Sequence, residues 1–195
     1  ESKNSIMKLE QEITVLVTCT YSELDELLKK QNFVRQEEYD VIDIYMVPVS
    51  INVNSIPRLE LLQNCVIIRT IQEKTKTLNM LLYKYKEYAS NGDILKQGKV
   101  KCHIKDTTEA KLFMEAVRYK KLLDINDHCI VYKKDNIEIC VQLVNQKYIF
   151  IELEGKEDAN IGDMKEILNS LDLPIRKDNY FVKKALLVLD DVMQN

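Results

Sequence analysis

Apolar and polar residues alternate with a period of two along much of this chain. The alternating stretches are bounded by turn-forming residues, which is the pattern of half-buried β-strands. Between Leu9 and Val17, the residues Leu9, Ile13, Val15 and Val17 share one face, with Gln11 intruding. Glu10, Glu12, Thr14 and Leu16 share the other. From Val66 to Ile71, Val66, Ile68 and Thr70 oppose Ile67, Arg69 and Ile71. Leu81, Tyr83 and Tyr85 oppose Leu82, Lys84, Lys86 and Tyr88, which sends Tyr83 and Tyr85 toward a packed outer face. Next, Val100, Cys102 and Ile104 oppose Lys99, Lys101, His103 and Lys105. Two late strands follow, Ile137 to Val144 and Tyr148 to Glu154; in the second, Ile149, Ile151 and Leu153 oppose Tyr148, Phe150, Glu152 and Glu154. Asp135-Asn136 makes a tight hairpin before them, and His128 lies at a strand start.

Four stretches switch to helical spacing. Ser22 caps a helix running to about Gln31, with Leu24, Leu27 and Leu28 as its stripe. Thr107 or Thr108 opens another, reaching about Leu123, with Leu112, Phe113, Ala116, Val117 and Tyr119 available for packing. A third runs from about Gly162 to Leu171, and a fourth from about Asn179 to Met193. The segment from Pro48 to Leu62 fits neither period, and reads as a lid, a long hairpin connection or part of a dimer contact.

Six or more amphipathic strands with few helices form either an open antiparallel sheet with a solvated polar face or a closed barrel lined by that face. Charge favours the barrel, because sign is segregated by strand. The first and last strands offer carboxylates, and the middle ones offer Arg, Lys and His. That segregation suits a site with one wall for an anion and one for a cation.

Composition narrows the function classes. Among 195 residues, 28 are basic and 31 acidic, a net charge of −3, so no global field recruits nucleic acid or an anionic membrane. The five cysteines are odd in number and lack CxxC spacing; they read as reduced, buried thiols of a cytoplasmic protein. No apolar run approaches the roughly 18 residues of a membrane span. There is no P-loop, G-x-S-x-G or G-x-G-x-x-G, and four glycines leave little material for one. Uniform composition without a Pro/Ser-rich linker predicts one domain over residues 7–193, after a tail of residues 1–6.

Read together, the strands resemble the CYTH superfamily, the triphosphate tunnel metalloenzymes, which include class IV adenylate cyclases, thiamine triphosphatases and inorganic triphosphatases. Glu10-Gln11-Glu12-Ile13-Thr14 is similar to its N-terminal E-x-E-x-K strand. Val66-Ile67-Ile68-Arg69 and Leu81-Leu82-Tyr83-Lys84 follow in the order of its basic strands, and Phe150-Ile151-Glu152-Leu153-Glu154 fits its late F-x-E-x-E. The resemblance implies an α+β fold, an antiparallel β-tunnel of about eight strands with flanking helices. It also implies a phosphorylated ligand held by Arg69, Lys84, Lys86, Lys101, His103 and Lys105. Mg2+ or Mn2+ would be held by Glu10, Glu12, Glu152 and Glu154.

The departures fall on the catalytic set. The motif lysine is Thr14, the first arginine of the L-R-I-R strand is Ile67, and the middle-strand glutamates are replaced by Lys101-Cys102-His103-Ile104-Lys105. Gln142 stands where an aspartate is usual, Tyr148 where a glycine is, and the basic pair before it reduces to Lys133-Lys134. The expectation is a domain that binds a triphosphate or similar anion, with impaired metal-dependent hydrolysis. The alternative is a non-catalytic scaffold or protein-interaction domain whose acidic and basic walls neutralise each other. Adenylate cyclase activity is the less favoured chemistry, nucleic acid and membrane are not expected partners, and a dimer stays open.

Overall fold

The computed structural model describes residues 8–9, 11–90, 94–155 and 159–194. In chain order the elements are β1 (Lys8–Leu9), β2 (Gln11–Leu16), α1 (Tyr21–Lys30), β3 (Val34–Pro48), α2 (Arg58–Gln63), β4 (Val66–Gln72) and β5 (Thr77–Tyr88). There follow β6 (Ile94–Ile104), α3 (Thr107–Ala116), β7 (Tyr119–Lys134), β8 (Ile137–Val144), β9 (Tyr148–Gly155), α4 (Ile161–Ser170) and α5 (Lys184–Gln194). The strands form one sheet in the order β1-β6-β5-β4-β3-β7-β8-β9-β2. The pairs β1–β6, β6–β5, β5–β4, β7–β8, β8–β9 and β9–β2 are all antiparallel. The α+β class with an antiparallel sheet is the one expected from the alternation.

The chain forms two compact units: Glu1–Leu9, Val41–Asn126 and Lys184–Asn195 in the first, Glu10–Asp40 and Asp127–Lys183 in the second. The two longest strands, β3 and β7, each contribute residues to both.

In the first unit, α3 lays Met114 and Ala110 on the sheet. They meet Met46, Ile68, Ile44, Val66, Leu81, Ile104 and Tyr119, the outward alternation of β3 to β6. Asp106 caps this helix, its carboxylate accepting from the N–H groups of Thr108 and Glu109. The other side of α3 is not packed: Leu112, Phe113 and Val117 are exposed. So is Tyr83, correcting the expectation that strand alternation buries it; of that face of β5 it is Leu81 that joins the cluster under α3. The segment left open from Pro48 to Leu62 contains α2, which packs on α5 and ties Arg58 to Asp190.

In the second unit, α1 buries Leu24 and Leu28, and α4 packs Met164 and Leu168 against β2 and β9. The cap of α1 is Thr20, not Ser22. Its hydroxyl accepts from the Glu23 N–H while Glu23 accepts from the Thr20 N–H at 2.8 Å, a reciprocal capping box.

Three more expectations are corrected. The helix expected to reach Leu123 ends at Ala116, because Arg118 takes φ 71° and the chain turns into β7. The last helix starts at Lys184 rather than Asn179; residues 180–182 instead run beside β2, with Thr14 N–H donating to Tyr180 O and Val182 N–H to Thr14 O. His128 lies in the middle of β7, not at its start. All five cysteines are free thiols, but only Cys65 and Cys129 are buried, and Cys102 is exposed. With so few glycines, the left-handed turns fall to Asn32, Arg118, Asp135, Asn145, Gln146 and Asp172.

Candidate functional site

Cross-strand partners in an antiparallel pair share a face, so the register of the first unit fixes which side chains stand together. Lys84 lies opposite Lys99, and Lys99 opposite Lys8, so three lysine positions form one row across β5, β6 and β1. The next row holds Ile67, Leu82 and Lys101, and the one after it Arg69, Met80 and His103. Ile67, Leu82 and Met80 are buried and make an apolar floor between the cations. Lys84 and Lys99 are half-buried, whereas Lys101 and His103 are exposed. Lys86 shares the face, opposite Gln97, while Lys105 lies just past the end of β6 and outside these rows. The register thus gathers positive charge on this face of the sheet.

Arg69 has an acid that the motifs did not reveal. Asp43, on β3 and 5% exposed, accepts from Arg69 Nε at 2.7 Å and from Nη2 at 2.6 Å. This is the two-pronged guanidinium–carboxylate pair, made from two of the five N–H donors of the arginine. Tyr45, two residues along β3, is buried beside it; burial first and the Asp43 charge second push its phenol well above the ordinary value, so it stays protonated. Cys65 lies nearby, its thiol pushed up to about 12 by burial. The clue in the sequence was Asp43 itself, a charge at an inward position of the run Val41, Tyr45, Val47, in a strand that begins with polar residues and hides its alternation.

In the second unit the carboxylates gather by the same logic. Glu12 lies opposite Glu154, and Thr14 opposite Glu152, which also faces Cys140 on β8. Glu12 and Glu152 are half-buried and Glu154 is exposed. Glu10 lies outside the described residues. Thr14, at the place of the motif lysine, is 4% exposed and offers a hydroxyl in place of an ammonium group. Gln142 is likewise buried. Tyr39 sits beside Cys140, Cys129 and Glu152; burial first, then the two thiols and the carboxylate, hold its hydroxyl protonated. Two adjacent carboxylates suit Mg2+, which commonly takes one or two protein oxygens and completes its shell with water and phosphate. Among the described residues, no three His, Cys, Asp or Glu side chains are grouped to cage a metal.

Other polar groups of this unit are tied to one another. Tyr132, fully buried, donates to Asp25 Oδ1 at 2.5 Å and lies 2.9 Å from the Tyr21 hydroxyl. His128 is held between Asp40 on Nδ1 at 2.7 Å and Glu38 on Nε2 at 2.9 Å. Burial alone would lower the pKa of this imidazole, but the two carboxylates outweigh it and raise the value.

Comparison with known proteins supports the fold. No family model matches the chain, and no curated protein matches it in sequence. Among solved structures it is similar to the PH1819 protein of Pyrococcus horikoshii, with TM-score 0.67 at 17% identity over 93% of this chain and 99% of the other. It is similar to a candidate adenylyl cyclase of Hippeastrum whose dominant activity is that of a triphosphatase, with TM-score 0.63 at 12% identity over 94% and 96%. A chain of the Schizosaccharomyces pombe Mediator head module also shares the fold, with TM-score 0.53 at 10% identity over 86% and 98%. The resemblance to the CYTH fold seen in the motifs is therefore shown for the fold. No helix is long and apolar enough to cross a membrane among the described residues.

Proposed function

We propose that this chain binds a triphosphate, or a similar phosphorylated anion, on the basic face of the first unit. Arg69, Lys84, Lys99, Lys101 and His103 are its principal ligands, with Lys86 and Lys105 at the margin. The observation that supports this reading is the register that gathers Lys84, Lys99, Lys101, His103 and Arg69 on one face of β4, β5 and β6, a concentration of donors that suits an anion. Glu10, Glu12, Glu152 and Glu154 hold Mg2+ or Mn2+ in this reading. Hydrolysis is weak or absent, since Thr14 and Gln142 replace ionisable groups of the family pattern. The triphosphatase activity of the Hippeastrum protein supports the ligand class through a shared fold alone, which does not by itself carry function.

The test is a titration of the protein with inorganic tripolyphosphate and with ATP, each with and without Mg2+ or Mn2+, following melting temperature and phosphate release. A specific ligand raises the melting temperature with concentration. No shift up to millimolar ligand sinks the reading; a shift without phosphate release identifies a binder.

A second reading has its own observation. Asp43 already neutralises Arg69, as in a scaffold whose charges are satisfied internally. The fold shared with a chain of the Mediator head module fits such a role.

A further inference from the structure

Helix α3 is apolar on two sides, and only one of them is covered. Met114 and Ala110 meet the sheet, while Leu112, Phe113 and Ala116 follow the i, i+1, i+4 spacing of the opposite face and are exposed. Leu112 is 60% exposed, Phe113 63%, and Val117 at the C-cap 46%. The patch does not end with the helix. The N–H of Val49, itself 38% exposed, donates to the Arg118 carbonyl at 2.8 Å and brings that side chain up to Val117. Single exposed apolar residues are ordinary on a protein surface, but a contiguous group of them marks a contact.

Charge says what that contact is made with. Lys111 and Glu115, four residues apart, line one edge of the stripe, with the ammonium group 3.7 Å from the carboxylate. At 42% and 45% exposure the pair contributes little within its own helix, and both ends stay open to a partner. Phe113 and Val117 line the other edge. When a second copy of α3 lies antiparallel on the first, with a twofold axis at Phe113, positions 111 and 115 are equidistant from that axis. Lys111 of each copy then stands opposite Glu115 of the other, twice over. A parallel pairing sets the charged edge of one copy against Val117 of the other, and forfeits both contacts.

We infer that the outer face of α3 is a self-association surface, on which a second copy of this chain docks with its own α3 antiparallel. Leu112 and Phe113 form the centre of the contact, and reciprocal Lys111–Glu115 pairs close one edge. One helix face with Val49 covers less than the roughly 1,200–2,000 Å² of a standard interface, so the dimer is a transient one. The surface lies on the outward side of the sheet, opposite the cations of the proposed anion site, so the inference stands independently of that reading.

Sedimentation velocity on the full chain, from about 5 to about 500 μM, tests it by mass action. The wild-type protein should move from 22.8 kDa toward twice that mass as concentration rises. Phe113→Glu and Leu112→Lys should stay monomeric, with unchanged near-ultraviolet circular dichroism because neither side chain is packed in the fold. Lys111→Glu and Glu115→Lys each set like charges across the axis, and should weaken association by about tenfold. Mixed one to one, K111E and E115K should form a heterodimer, since every pair across the axis is then opposite in sign. The intrahelical pair is broken in both variants, so it cannot supply this rescue. A wild-type protein monomeric throughout the range overturns the inference and leaves the patch to a partner of other sequence. A dimer that persists in F113E and L112K overturns it in favour of another surface, and so does a mixture no more associated than its separate components. If a charge variant fails to fold, F113E and L112K decide alone by the same criterion.

Discussion

In the first unit Lys84 and Lys99 stand directly opposite one another, and Arg69 is locked to Asp43 by two hydrogen bonds. In the second unit polar groups are knotted locally, from the buried Tyr132 with Asp25 and Tyr21 to the more exposed His128 with Asp40 and Glu38 and Thr20 with Glu23. One arrangement gathers cations on one face of a sheet and, in the reading proposed above, suits an anionic ligand. The other satisfies its own donors and acceptors and suits stability. The comparison teaches that substitutions in the two places should move different measurements.

The sharpest way to break it is to neutralise the lysine row. Lys84→Met with Lys99→Met keeps the apolar stems and should weaken tripolyphosphate by about a hundredfold, with little change in the denaturation midpoint. Equal affinity in calorimetry would remove the anion from the explanation of the row. Tyr132→Phe should do the reverse, costing about 1–2 kcal/mol in urea unfolding by leaving Asp25 short of a donor, with the ligand affinity untouched. Thr20→Ala removes one half of the capping box of α1 and should cost about 1 kcal/mol by the same measurement.

The smallest effect is a pH slope. Because the folded pKa of His128 is raised, its contribution is complete below the ordinary imidazole value and is lost as pH rises through the folded value. Unfolding measured across that window should show stability declining with pH in wild type, and His128→Asn should flatten the decline. An identical slope in both proteins would show that the bridge to Glu38 and Asp40 is fully screened.

The strands β2, β4, β5, β6, β8 and β9 were legible because one face of each is apolar and the other polar. The ordering of acidic and basic strands came from the same alternation. β3 was not legible: its first residues, Val34-Arg35-Gln36-Glu37-Glu38, are exposed, and its last, Tyr45-Met46-Val47, are buried on both faces, so neither end shows a period of two. Asp43 was lost with it. The start of β7 was misread because Leu112, Phe113, Ala116 and Val117 continue a helical spacing that packs on nothing here, and a backbone turn at Arg118 left no glycine to mark it. Lys105 was placed by extending the alternation one residue beyond the end of β6.

The six described non-glycine residues with a left-handed backbone matter to anyone wishing to strengthen this protein. Asn32, Asp135, Asn145 and Asp172 are of the types that tolerate such a backbone, but Arg118 and Gln146 are not. Both are exposed, so their side chains contribute little packing that a replacement would forfeit. Arg118→Gly and Gln146→Gly would each relieve about 1 kcal/mol of steric cost, offset in part by the greater freedom of glycine in the unfolded chain. The corners of the fold, rather than its core or its charged face, are thus where thermal tolerance can be raised with least risk to ligand recognition.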